Sequence, residues 1–156
     1  MNRTAVAFLA IVMLALSNPS KADVCSEREA FAAETVTDYL DSWDNVHLFF
    51  EQFRKCYDAA IAEGANDKIQ QLWSNYWSEL SIMVKLTQED PAFKSFIFER
   101  IKDEDFPRDR FAIVVQHATQ DCPSVAQEFC RAVLNEAARA KQRSKVKGGS
   151  GRLRRR

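Results

Sequence analysis

The chain has 156 residues, 46% of them hydrophobic, with 22 Lys and Arg against 22 Asp and Glu, four cysteines and only four glycines. That size fits one domain with a real core. The balance of charge hides a division: residues 23–140 hold all 22 acids and 12 bases, a net of −10, whereas 141–156 hold eight bases and no acid. An acidic body with a basic tail carries no sign of sequence-specific nucleic-acid binding.

Residues 1–22 have the pattern of a secretory signal. Arg3 supplies the positive start, Ala5 to Leu16 is a run of 12 residues without a polar side chain, and Ser20-Lys21-Ala22 places small residues at the two positions a signal peptidase reads. The run falls short of the roughly 20 apolar residues that span a bilayer, and no later stretch offers them. The chain is therefore expected to be exported, periplasmic or extracellular, to begin near Asp23 once processed, and to have no transmembrane helix in its mature form.

From there the pattern is helical. Cys25–Leu40, rich in Ala and Glu, reads as the first helix. Asp41-Ser42 offers an N-cap, and Trp43, Val46, Phe50, Phe53, Tyr57, Ala60 and Ile61 recur at three- and four-residue steps, with Gly64 expected to stop that helix as its C′ residue. Asn66 or Asp67 caps the next segment, in which Ile69, Leu72, Trp73, Tyr76, Trp77, Leu80, Met83 and Val84 form the most regular apolar stripe of the chain. Trp73, Tyr76, Trp77 and Leu80 are accordingly expected in the core.

Asp90-Pro91 is a cap with proline at the first helical position, and Phe93, Phe96, Ile97 and Ile101 continue the pattern to the acidic turn Asp103-Glu104-Asp105. Pro107 starts another helix, with Phe111, Val114, Val115 and Ala118 on its buried side. Asp121-Cys122-Pro123 repeats the cap-and-proline signal before Ala126, Phe129, Cys130, Val133, Leu134 and Ala137. The sum is an all-α, compact bundle of about six helices over residues 23–140. Periodicity is lost from Lys141, and Gly148-Gly149-Ser150-Gly151 reads as a flexible spacer before Arg152, Arg154, Arg155 and Arg156, so a disordered basic tail is expected. Those arginines are the candidate contacts to an anionic surface.

An even cysteine count in an exported domain predicts two disulfides among Cys25, Cys56, Cys122 and Cys130. If Cys122 caps the helix holding Cys130, eight residues separate them by about 12 Å, beyond the roughly 7 Å limit on Cα separation. On that geometry both bonds are expected to cross, joining Cys25 and Cys56 to Cys122 and Cys130.

Candidate chemistry is sparse. His47 and His117 fall on different helices, with no HExxH or CxxC spacing beside them; both read as boundary residues of the core. Asp58 with Glu63, and the run Asp103 to Asp105, are acid pairs of a kind that any acidic chain contains. No GxSxG elbow, phosphate-binding glycine loop or nucleotide fingerprint appears. No catalytic residue, cofactor or metal is therefore assigned, and the aromatic residues, Phe49 and Phe98 included, are read as core.

The segments Phe53-Arg54-Lys55-Cys56 with Ile61-Ala62-Glu63-Gly64, Asp90-Pro91-Ala92-Phe93 with Phe96-Ile97, and Cys122-Pro123 through Cys130 resemble a group of small exported bacterial proteins of unassigned function. The resemblance covers Trp43 to Leu134 and brings no catalytic residues with it. Insect odorant-binding proteins are also exported, six-helical and disulfide-bonded, but their cysteines paired three residues apart are missing here. The expected function is a non-catalytic binding or inhibitor (immunity-type) protein of the bacterial envelope, whose acidic body meets a protein partner. The alternatives are a carrier of an apolar small molecule and an unrecognised hydrolase.

Overall fold

The computed structural model describes residues 24–150, with side chains up to Arg143. Residues 1–22, where a secretory signal is expected, and the arginines Arg152, Arg154, Arg155 and Arg156 lie outside the described residues. Seven α-helices follow one another there: α1 (Glu27–Thr37), α2 (Trp43–Phe53), α3 (Ala59–Asn75), α4 (Leu80–Glu89), α5 (Pro91–Arg100), α6 (Arg108–Gln120) and α7 (Gln127–Ser150). Short 3-10 turns occupy Arg54–Cys56, Trp77–Glu79 and Ser124–Ala126. No strand occurs among the described residues. The bounds of α7 run past residue 140, where composition places the start of the tail.

Local chemistry sets most of these boundaries. Ser26 and Glu29 form a capping box on α1: the Ser26 hydroxyl accepts from the Glu29 N–H at 3.3 Å and the Ser26 N–H donates to the Glu29 carboxylate at 3.0 Å. Ser42 caps α2 by accepting from Asn45 N–H. Asp90 caps α5, accepting from Ala92 and Phe93 N–H at 2.8 and 3.1 Å, with Pro91 at the first position where no donor is needed.

Three expectations about the elements are corrected. The helix starting at Trp43 does not run to Ile61; it ends at Phe53, and Asp58 caps a new helix, accepting from Ala59 N–H at 2.8 Å. Gly64 is no terminator but sits inside α3. A Cβ there would come within 3.0 Å of Thr37 Oγ1 and 3.2 Å of Thr37 Cβ, so the glycine serves the close crossing of α1 over α3. Finally, the long stripe from Ile69 to Val84 belongs to two helices. Tyr76, at φ −125° and ψ 41°, breaks it and is 49% exposed instead of lying in the core, whereas Trp73, Trp77 and Leu80 are buried.

The disulfides are also not crossed. They join Cys25 to Cys56 and Cys122 to Cys130. Helical spacing does not apply to the second pair, because Pro123 is extended (φ −61°, ψ 144°) and a 3-10 turn precedes α7, which begins only at Gln127. The chain doubles back, and the Cα atoms of Cys122 and Cys130 lie 6.3 Å apart.

α3 lies against α1 and α6, α6 against α7, α2 against α1 and α4, and α4 against α5. Trp73 occupies the middle. Its ring is 6.0 Å from Trp43, 6.1 Å from Phe106 and 5.2 Å from Phe129, and its indole N–H donates to the Met83 sulfur. Phe49, Phe93, Ile69, Leu72, Leu80 and Ile97 fill the space around it. Such a core leaves the interior occupied by side chains.

Candidate partner-binding groove

The residues that chemistry would recruit are largely committed to the fold. The His47 ring is 3.4 Å from the Asp90 carboxylate and edge-on to Phe93 at 4.7 Å. Burial works to raise the Asp90 pKa, but the N–H groups of Phe93 and Ala92 and the His47 ring outweigh it and hold the carboxyl below its ordinary value. His117 stacks on Trp77 at 5.2 Å and lies 3.5 Å from Asp121. Asp103 accepts from Asn66 at 2.8 Å, Gln70 at 3.4 Å and the Asp105 N–H at 3.0 Å. Asn66 in turn accepts from the Tyr57 hydroxyl, whose pKa burial raises against the opposing effect of Arg100. Asp58 is a helix cap, and Glu63 is exposed on α3. The structure thus does not bring the two histidines or either acid group together around one point. Among the described residues no group of three His, Cys, Asp or Glu side chains is placed to hold a metal ion, and no helix is long and apolar enough to cross a membrane.

Several surface clefts of about 300 to 460 Å³ open between the helices, and two of them differ in charge. The larger, about 460 Å³, lies where the α5–α6 turn meets α6 and α7, over Ile101, Phe106 and Phe111. Its charges neutralise one another: buried Glu136 is held by Arg143 at 2.6 Å and Arg139 at 3.6 Å. The second, about 370 Å³, runs between α1 and the start of α3. Ala30, Phe31, Ala59, Ala60 and Ile61 give it an apolar lining, Glu27, Glu34 and Asp58 supply its carboxylates, and no Lys or Arg lines it.

This second groove is built from several ties between its walls. The Cys25–Cys56 bond joins the residue before the α1 cap to the turn before α3. Lys55 reaches back to Glu29 at 2.8 Å, and the Gly64 crossing sets the spacing of the two helices lower down. The Glu29 carboxyl is held down to about 2, first by Lys55, then by the Ser26 N–H and hydroxyl. Ala59, on the α3 wall, has φ 44°, the one non-glycine residue among those described in the left-handed region; such a backbone costs roughly 1–2 kcal/mol. Phe31 stands 75% exposed on the α1 wall. Val24, Tyr39, Leu48 and Val125 are also at least half exposed; Phe31 is the one of these that lines this groove, beside its carboxylates.

Sequence reading passed over Phe31 and Ala59. A signal for the first exists: α1 turns Ala33 and Thr37 inward, and two residues of separation put Phe31 about 200° from Ala33, on the far face. The positive φ of Ala59 has no sequence signal, because nothing in an alanine asks for it. No protein family, curated protein or solved structure matches the chain.

Proposed function

We propose that this is an exported, non-catalytic binding protein of the bacterial envelope, of the inhibitor or immunity type, whose acidic body meets a basic protein partner. The observation that carries the reading is the α1–α3 groove: an exposed phenyl ring between carboxylates, on walls fixed by a disulfide. Two disulfides support export, because such bonds persist in oxidising compartments, as does the leader-like pattern of residues 1–22. The net charge of −10 over residues 23–140 acts on encounter rate and selectivity more than on affinity.

Photo-crosslinking from a position replacing Phe31, in the bacterium that encodes the chain, tests this reading. Stoichiometric capture of one basic envelope or extracellular protein is the expected result. Retention of the chain in the cytoplasm with reduced cysteines would overturn it. The apolar floor of the α5–α7 cleft favours a carrier of an apolar small molecule as the second reading; mass spectrometry of the purified protein under native conditions would then show a bound lipid-sized species.

A further inference from the structure

We infer that the α1–α3 groove recognises a cationic amphipathic helix, with a large apolar anchor set between basic residues about two turns apart. This rests on the binding-protein reading and specifies what is bound. The geometry comes from α1 itself. Glu27, Phe31 and Glu34 stand at i, i+4 and i+7, one face of the helix. The two carboxylates are spaced about 10 Å along the axis, at 1.5 Å per residue, with the phenyl ring between them. A helix lying alongside matches that spacing with Lys or Arg seven residues apart and one or two apolar residues between, the helix-in-groove mode of recognition.

Both components of the lining are needed. Phe31 and Ile61 give the anchor apolar surface to cover, with Phe31 the most exposed large apolar side chain of the lining and Ile61 half-buried. Asp58, on the opposite wall, places negative charge on the anchor's other side. With no base lining the groove, an acidic or neutral segment of the same shape is rejected by unpaired like charge.

The test uses the full chain with disulfides formed and three synthetic probes: an 18-residue amphipathic Leu/Lys peptide, its Leu/Glu counterpart of identical pattern, and an oligolysine of equal positive charge. The Leu/Lys peptide is expected to bind one to one, the oligolysine at least tenfold more weakly, and the Leu/Glu peptide not at all. Phe31→Ser, which removes an exposed ring and leaves the thermal melt unchanged, should weaken the Leu/Lys peptide at least tenfold. Glu27→Gln with Glu34→Gln should weaken it by a similar factor at low salt and reduce the salt dependence. Equal affinity for oligolysine and the Leu/Lys peptide overturns the inference by showing charge alone at work. Unchanged affinity of Phe31→Ser overturns the groove while leaving a basic partner for the acidic body. Failure of every basic peptide to bind the wild-type chain overturns both.

Discussion

The two disulfides hold their regions in different ways. Cys25–Cys56 spans 31 residues and ties the segment before α1 to the turn before α3, so it fixes how the starts of those two helices sit together. Cys122–Cys130 spans eight residues and closes a local turn at the head of α7. Each pairs a half-buried cysteine with a buried one. In the chain-entropy account the longer loop contributes about 3.5 to 4 kcal/mol and the shorter about 2.5. The first bond organises tertiary structure and the second preserves a turn that Pro123 and the 3-10 residues already favour. The candidate groove lies beside the first, where geometry between elements is what has to be held.

Trp73 is where the two regions meet, since it touches Trp43 of α2, Phe106 before α6 and Phe129 of α7. Replacing it by Ala is expected to cost about 3–5 kcal/mol. A urea unfolding curve checks this, and two separate transitions in the variant would show that the ring joins halves able to fold apart. Phe31→Ala, by contrast, should change stability by less than about 0.5 kcal/mol, as its ring lies in solvent.

Removing the bonds one pair at a time sharpens the contrast. The Cys25→Ala/Cys56→Ala variant should lose about 3.5 to 4 kcal/mol and the Cys122→Ala/Cys130→Ala variant about 2.5. Hydrogen exchange should then rise across α1 and the start of α3 in the former, and only around residues 121–127 in the latter. Equal losses with the same exchange pattern would refute the division of labour.

A smaller effect belongs to the α1–α3 crossing. Gly64→Ala gains helix propensity of about 1 kcal/mol but forces a methyl to within 3.0 Å of Thr37 Oγ1, a side chain held by its bond to the Glu34 carbonyl at 2.6 Å. Overpacking of that kind typically costs 1–3 kcal/mol, so a net loss of about 1 kcal/mol is expected. Pairing it with Thr37→Ala in a double-mutant cycle should recover part of that loss; strict additivity would mean the two residues do not meet.

The smallest effect is one of pH. Glu29 titrates at about 2 in the folded chain against an ordinary 4.5, so its contribution to stability is present above pH 4.5 and is lost as pH falls from there through 2. Lys55→Met removes the largest cause of the depression. The acid limb of the melting curve should be shallower between pH 4.5 and 2 in that variant, and an unchanged limb would show that the Lys55 contact has no energetic role.

Much of the fold was legible because its signals are local. The Asp90-Pro91 cap, the Ser42 cap and the stripes through Val46 and Phe50, and through Ile69, Leu72 and Trp73, operate within one or two turns, and each is where periodicity and capping chemistry place it. The candidate groove was far less legible. Phe31 belongs to a helix whose inward residues are small, so its apolar stripe is weak and nothing makes the ring conspicuous. The His47–Asp90 contact joins residues 43 apart, and no spacing rule reaches that far.

The sequence by itself determined the helical class of the fold, the oxidised state of its four cysteines, the Ser42 and Asp90 caps and the division between an acidic body and a basic end. Each of these follows from short-range sterics, hydrogen bonding or composition. Tertiary structure alone decided which cysteines pair, why Gly64 is a glycine, where the stripe through Tyr76 breaks, and that Phe31 and the three carboxylates share one groove. These depend on distances between elements, which are set only when the whole bundle packs around Trp73 and the helices settle their crossings together.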